Sequence, residues 1–275
     1  MHDMILSGKK VADWIFEETK TIASGLSVRP GLGVVLVGDD SASRIYVGIK
    51  EHRAEELGFS FRKEILPATA TADEVIQVIG TLNGDEDIHG IIVQLPLPAG
   101  LDTDRIIAAI DPEKDADGFH PETVARFLSG DRDSLPVFPA AIMELAKSAD
   151  KPLSGKRGIV IANSDLFGEI MKKALGDEGV SASVIRAADI DAKTDDIAAA
   201  DIVVTAIGQS ERFPRNVFKQ GTIVIDGGIS QKDGKVRGDV SAEGDDSSLF
   251  LSPVPGGVGP VTVACLLRRT AMLAM

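Results

Sequence analysis

The sequence predicts an α/β protein of two domains, the second with a mainly parallel sheet. Three observations lead there. At 275 residues with 44% hydrophobic side chains, the chain can bury one large core or two moderate ones, and its length leans towards two. Between residues 33 and 82 strand-like apolar runs alternate with segments of helical period, and a second alternation begins at residue 158; such an order joins parallel strands through right-handed crossovers. Between the two lies Leu135-Pro136-Val137-Phe138-Pro139, whose prolines mark a crossing from one domain to the next.

In chain order, residues 8–23 set Val11, Ile15 and Ile22 among charged neighbours, an amphipathic helix suited to covering a sheet face. Pro30-Gly31 breaks the chain, and residues 33–37 form a strand that ends at Gly38-Asp39-Asp40. Helical periodicity then runs to Leu57. Within it, Ser43-Arg-Ile-Tyr-Val-Gly-Ile-Lys50 places Tyr46 and Lys50 on one face, where an aromatic ring and an ammonium group can act on the same bound molecule. Following the carboxyl end of a strand, the pair is expected to face a cleft. The same spacing arises by chance on solvated helices, and it also marks short-chain dehydrogenases. In those enzymes a glycine-rich nucleotide loop comes first, whereas here the order is reversed.

A strand at 59–65 and a helix at 72–82 follow. Gly90-Ile-Ile-Val-Gln94 is the near-continuous apolar run of a strand buried on both faces, stopped by Leu95-Pro96-Leu97-Pro98. Gln94 is left at the strand's carboxyl end, the edge that also carries Tyr46 and Lys50. There its amide either caps the strand or accepts from the lysine while donating to a ligand. Residues 111–121, Asp-Pro-Glu-Lys-Asp-Ala-Asp-Gly-Phe-His-Pro, are too polar and too rich in turn formers for a regular element. Asp115 is expected to be a solvated surface acid. Asp117, just before Gly118-Phe119, is expected to turn inward and receive the paired N–H donors of a pteridine- or guanine-like ring.

Helices at 125–128 and 140–149 flank the crossing. The second alternation then supplies a strand at 158–162, a helix at 167–179 and strands at 182–185, 202–206 and 222–226, the order of a nucleotide-binding unit. Its first turn, Ala162-Asn163-Ser164-Asp165-Leu166-Phe167-Gly168, lacks the full G-x-G-x-x-G fingerprint, yet helix-start N–H groups and the Ser164 hydroxyl can still hold phosphate. Arg186 ends the next strand, where an acid would bind the ribose of NAD and an arginine suits the 2′-phosphate of NADP. NADP is therefore expected, with NAD possible. The run from Pro253 to Pro260 holds three glycines and three prolines, a loop both bent and stiff that lets a ligand approach closely. A helix at 262–274 closes the chain and is expected to pack on the first domain.

The 29 basic and 42 acidic side chains give a formal charge of −13, which repels phosphate backbones and speaks against nucleic acid as a partner. The one cysteine, Cys265, precludes an intrachain disulfide framework and is expected to be packed within its apolar run. No metal site is expected, because His2, His52, His89 and His120 lack ligand spacing and read as structural or exposed. The amino terminus has no basic flank before a long apolar region, and no apolar run reaches membrane-spanning length. A soluble cytoplasmic protein without membrane contact is expected.

Taken together, Tyr46-x-x-x-Lys50, Gly90-Ile-Ile-Val-Gln-Leu-Pro-Leu-Pro98, Lys114-Asp-Ala-Asp-Gly-Phe-His-Pro121 and Pro253-Val-Pro-Gly-Gly-Val-Gly-Pro-Val-Thr262 closely resemble methylenetetrahydrofolate dehydrogenase/cyclohydrolase, in the right order and over nearly the whole chain. The resemblance implies two α/β domains around a cleft, the second Rossmann-like. Residues 1–136 would form the folate-binding catalytic domain, completed by the helix at 261–275, and residues 137–260 the NAD(P)-binding domain. It implies oxidation of 5,10-methylenetetrahydrofolate with a nicotinamide cofactor, hydrolysis of the methenyl product to 10-formyltetrahydrofolate, and a homodimer.

Residue by residue, Lys50 matches the catalytic lysine, Gln94 its partner, Tyr46 the ring that stacks on the folate's aminobenzoate, and Asp117 the pterin carboxylate. Pro255, Gly256 and Gly257 fall on the substrate side; Ala162, Asn163, Ser164 and Ile229 fall at cofactor-contact positions. The usual Gly-Arg-Ser, Pro-Cys-Thr-Pro and Asp-Val-Gly-Ile read here as Ala162-Asn163-Ser164, Pro136-Val137-Phe138-Pro139 and Asp226-Gly227-Gly228-Ile229. A cyclohydrolase without dehydrogenase activity and a silent folate- or nucleotide-binding protein are the alternatives, the second disfavoured because binding alone needs no catalytic lysine.

Overall fold

The structure, a computed structural model, describes residues 4–242 and 248–275. In chain order the elements are β1 (Met4–Ile5), α1 (Gly8–Ser24), β2 (Gly31–Val37), α2 (Ser41–Glu56), β3 (Ser60–Leu66), α3 (Ala72–Asn83), β4 (Gly90–Val93), α4 (Thr103–Ile107), α5 (Pro121–Ser129) and α6 (Val137–Lys147). There follow β5 (Arg157–Ala162), α7 (Asp165–Asp177), β6 (Ser181–Arg186), α8 (Thr194–Ala198), β7 (Ile202–Ala206), β8 (Ile223–Asp226), β9 (Ser230–Lys232), β10 (Lys235–Arg237), β11 (Phe250–Leu251) and α9 (Val258–Leu273). The chain divides into two compact units. The first gathers Trp14–Val137 and Val263–Met275; the second gathers Met1–Asp13 and Phe138–Thr262.

The first unit is built on a three-stranded parallel sheet in the order β3-β2-β4. Every residue of β2 is buried, as its unbroken Gly-Leu-Gly-Val-Val-Leu-Val run requires of a strand covered on both faces. Val75, Ile79 and Leu82 of α3 pack against Val35, Val37, Ile91 and Val93. A capping box starts that helix, with Thr71 accepting from Glu74 N and the Glu74 side chain reaching back to Thr71 N. Asp40 caps α2 with a single bond, its carboxylate accepting from Ser43 N.

The second unit carries a six-stranded sheet in the order β1-β11-β8-β7-β5-β6, all pairs parallel, with β9 and β10 as a separate antiparallel hairpin. From β5 the chain moves outwards to β6 and then returns past β5 to β7, so the strand order reverses between β5 and β7. Ligands bind beyond the carboxyl ends of strands at such a point. The core beneath includes Ile159, Ile161, Val203 and Val224 of the sheet, with Ile190, Ile197, Phe213 and Phe218 covering them.

Several elements differ from expectation for local reasons. The chain passes from one unit to the other between Val137 and Phe138, inside the expected crossing, but α6 already begins at Val137; Pro139 sits in its first turn, where the missing N–H would have had no helical partner. Likewise α5 starts at Pro121, capped by His120, four residues before expectation. Residues 4–13 cluster with the second unit rather than with residues 14–136, since Met4 and Ile5 pair with Phe250 and Leu251. The two-residue strands, the β9–β10 hairpin and the five-residue α4 and α8 are additions. Among the described residues no helix is long and apolar enough to cross a membrane.

Candidate active site

The site of the first unit forms where β2 and β4 end and α2 begins. α2 carries Tyr46 and Lys50 one turn apart, both half-buried. Gln94 follows the last residue of β4, and its N–H donates to Val35 O at 2.8 Å, so the ladder fixes where its side chain starts. Lys50 Nζ donates to Gln94 Oε1 at 2.8 Å. The other end of the amide donates to Leu95 O at 2.6 Å. Gln94 therefore orients the lysine, and one of its two amide N–H groups is engaged by the backbone. Burial lowers the Lys50 pKa, with the nearby Asp117 charge opposing it, so the amine is driven towards its neutral, proton-accepting form.

Asp117 and its neighbours make the second part. The expectation that Asp115 is solvated is wrong: it is 1% exposed. Its two oxygens accept from Gly118 N at 2.9 Å and His120 N at 2.8 Å, and these bonds offset the cost of burying the acid. Asp115 thus shapes the turn that presents Asp117. No described residue donates a hydrogen bond to the Asp117 carboxylate. Asp117 lines a small, mostly apolar cavity with Asp115, Val93, Leu95, Ile110 and Phe119. Burial pushes the Asp117 carboxyl above its usual range; Lys50 and Arg269 oppose this and Asp115 reinforces it.

Two further side chains escaped the sequence reading. Ser43, in the first turn of α2, is 3% exposed, and its hydroxyl has no partner among the described residues. Arg269 of α9 reaches Leu135 O at 3.0 Å and shares the surroundings of Asp115 and Asp117. Its only sequence signal is the Arg268-Arg269 pair within an otherwise uncharged closing helix.

The remaining candidates belong to the second unit. In the loop after β11 the Val254–Pro255 peptide is cis and Gly256 has φ +100°. Gly8 N donates to Gly256 O at 2.9 Å, and a Cβ on Gly257 would lie 2.5 Å from Pro253 O, so the loop is tightly folded on its own backbone. Ala162 is the fully buried last residue of β5. The exposed Asn163 donates from Nδ2 to Ile207 O at 2.9 Å, tying the β5–α7 turn to the loop after β7. Ser164 caps α7 by accepting from Phe167 N. Arg186, at the end of β6, pairs with Asp165 at 2.6 Å. Ile229 follows β8 and is 50% exposed.

This edge fits a dinucleotide in two respects. A Cβ on Gly168 would lie 2.7 Å from Val184 Cγ1, so Gly168 provides the close helix–strand packing that the third glycine of the dinucleotide fingerprint provides. In the loop after β7, the buried Ser210 hydroxyl has no partner among the described residues.

The departures at 138 and 227 prove to be joined. A Cβ on Gly227 would lie 2.9 Å from Cζ of Phe138, whose ring packs on Phe167 at a centroid distance of 5.5 Å. Of the histidines, His52 is exposed, His89 accepts from Gly31 N, His120 caps α5 and His2 lies outside the described residues. Cys265 is buried.

Comparison with known proteins places this geometry. The tetrahydrofolate dehydrogenase/cyclohydrolase catalytic domain matches residues 6–117, and the NAD(P)-binding domain of the same enzymes matches residues 136–275. The bifunctional protein FolD of Bacillus licheniformis is 40% identical over 251 residues, which are 90% of this chain and 87% of that protein. The crystal structure of the bifunctional enzyme FolD from Campylobacter jejuni superposes with a TM-score of 0.92 at 36% identity, covering 98% of both chains. That of the Trypanosoma brucei enzyme, complexed with NADP and an inhibitor, gives 0.93 at 31% identity, covering 100% of this chain and 98% of its own. With both domains matched, the chain belongs to the tetrahydrofolate dehydrogenase/cyclohydrolase family.

Proposed function

We propose that this chain oxidises 5,10-methylenetetrahydrofolate to the methenyl form with NADP and hydrolyses that product to 10-formyltetrahydrofolate, with Lys50 moving the proton. The observation that carries the reading is the Lys50–Gln94 bond of 2.8 Å at the end of β4, made by an amine whose pKa burial lowers. Water adding to the methenyl carbon must lose a proton, and the neutral Nζ accepts it. Gln94 Oε1 holds that nitrogen in place, and Tyr46, one turn earlier, offers a ring face for the aminobenzoate portion. Asp117 accepts the paired N–H donors of the pterin. Pro255, Gly256 and Gly257 are assigned to substrate binding through the backbone of their tightly folded loop.

The dinucleotide, when bound, supplies a hydride acceptor for the methylene carbon. Ala162, Asn163 and Ser164 would hold it at the β5–α7 turn, with Ile229 at the nicotinamide end. Arg186 would meet the 2′-phosphate through paired N–H donors, which supports NADP over NAD. Asp165, bonded to Nη1, competes for that charge. The homodimer and the cytoplasmic location belong to the same proposal, and the net charge of −13 supports the absence of nucleic acid from it.

The test is methenyl formation followed by absorbance with NADP and NAD side by side, together with methenyl hydrolysis. Both activities, with NADP the better cofactor, are expected. Hydrolysis without oxidation by either dinucleotide would leave a cyclohydrolase alone.

A further inference from the structure

The carboxylate assigned to the pterin is backed by a residue from the other end of the chain. Arg269 of α9 donates from Nη1 to Leu135 O at 3.0 Å. Two residues on, Val137 N donates to Asp117 O at 2.9 Å. Gly118 lies between these contacts with φ +81°. A Cβ there would sit 2.8 Å from Cα of Pro136 and 2.9 Å from Arg269 Nη1. The Asp117-Gly118 turn is thus packed against the 135–137 segment and the guanidinium together. Only a glycine leaves room for both.

We propose that Arg269 is a positioning residue for Asp117, packing against the turn that presents its carboxylate and setting a permanent positive charge next to that turn. This rests on the reading of Asp117 as the group that binds the pterin. Two N–H donors on one ring need an ionised carboxylate, which is acceptor-only. Burial works against ionisation of Asp117, Lys50 from α2 and Arg269 from α9 work for it, and Asp115 works against it. Arg269 in turn faces Asp115, Asp117 and Asp131, with Arg126 of α5 as the like charge.

Asp115 is already satisfied by two backbone N–H groups. Lys50 is drawn towards neutrality by burial and must be neutral to take a proton, so its charge is absent when the site works. Arginine keeps its proton in proteins. The lasting counter-charge beside Asp117 is therefore Arg269.

The experiment compares Arg269→Gln, Arg269→Lys and Asp117→Asn in the full-length chain, following methenyl hydrolysis from acid to neutral pH. Arg269→Gln is expected to raise KM about tenfold and to move the acid limb of 1/KM upwards by about one pH unit, with kcat changed less. Arg269→Lys should return the limb to its original position. A limb that stays put in the glutamine variant, whatever happens to KM, overturns the role of the charge. Should that variant fail to fold, the lysine variant decides: raised KM with the limb in place supports the assignment, and an unchanged KM overturns it. If Asp117→Asn leaves both KM and the limb unaltered, the pterin reading of Asp117 has itself failed.

Discussion

Lys50 and Asp117 carry opposite tendencies for one reason: burial penalises charge, lowering the lysine's pKa and raising the acid's. Activity follows from the lysine's side of this. Neutral amine becomes more abundant as pH rises through a lowered pKa, so hydrolysis should climb with pH and level off once the amine is neutral. Lys50→Met removes the proposed proton acceptor without touching the core, because Lys50 is only half-buried. Methenyl hydrolysis should fall by about 10²–10⁴-fold, the range of general base catalysis, with an unchanged circular dichroism spectrum. Hydrolysis at the wild-type rate would remove Lys50 from the mechanism. Lys50 and Gln94 were legible because helix spacing and the proline stop put them on one edge. Asp115 was not, since its burial depends on N–H groups three and five residues later, and a polar run looks solvated until its turn is known.

At the scale of elements, the departures that set the second unit apart compensate one another. Phe138, at the start of α6, fills the space beside residue 227 after β8, and Phe167 in α7 supports its ring. Gly227→Val should lower stability by about 1–3 kcal/mol through overpacking. In a Phe138→Ala background most of that cost should vanish, giving a double-mutant coupling of roughly 1 kcal/mol or more in urea melts. Additive effects would mean that the two sites adjust independently. The sequence displayed both departures but not their contact, because nearly ninety positions separate them.

The β5–α7 turn and the end of β6 form a second coupled pair of elements through Asp165 and Arg186. Asp165 neutralises the charge that a 2′-phosphate would seek. Asp165→Asn should tighten NADP binding a few-fold and leave NAD unchanged, the modest effect of an exposed ion pair. Arg186→Ala should weaken NADP selectively. Calorimetric dissociation constants for both cofactors separate these outcomes, and equal changes for NADP and NAD would make the pair structural.

For the whole molecule, alternation of strands and helices was enough to foresee two α/β units, because parallel strands buried on both faces leave long apolar runs. Short edge strands leave none: β1 and β11 have two residues each, and their pairing is what takes the chain's first residues into the second unit. The sheet of that unit is also fastened by buried acids. Asp226 is 2% exposed and Asp239 is 0% exposed. Asp226 accepts from Gly228 N, Asp239 N and Val240 N, while Asp239 accepts from Thr205 Oγ1, Ile207 N and Gln209 N. Gly228 and Gly238 must lack side chains, since a Cβ would lie 2.2 Å from Asp239 Oδ1 and 2.1 Å from Asp226 Oδ2 respectively.

Burial pushes the Asp226 carboxyl up to about 7, against its three backbone donors and with the Asp239 charge reinforcing it. The sign of the consequence is fixed by linkage. An unfolded aspartate loses its proton near pH 4 while the folded one keeps it, so between roughly pH 4 and 7 the folded state binds more protons. Stability from this group is therefore fully present below pH 4. It should decline by about 1.4 kcal/mol per pH unit as pH rises towards 7, and stay level above. The surface acids held low by ion pairs, such as Glu56 and Glu211, give the opposite slope, but they are shared by any variant of Asp226. Asp226→Asn cannot titrate, and its amide faces backbone donors at a cost of about 1–3 kcal/mol. Urea midpoints measured from pH 4 to 8 should thus show a lower but flatter curve for Asp226→Asn than for the wild type. Two parallel curves would mean that Asp226 is ionised throughout, its three N–H donors outweighing its burial.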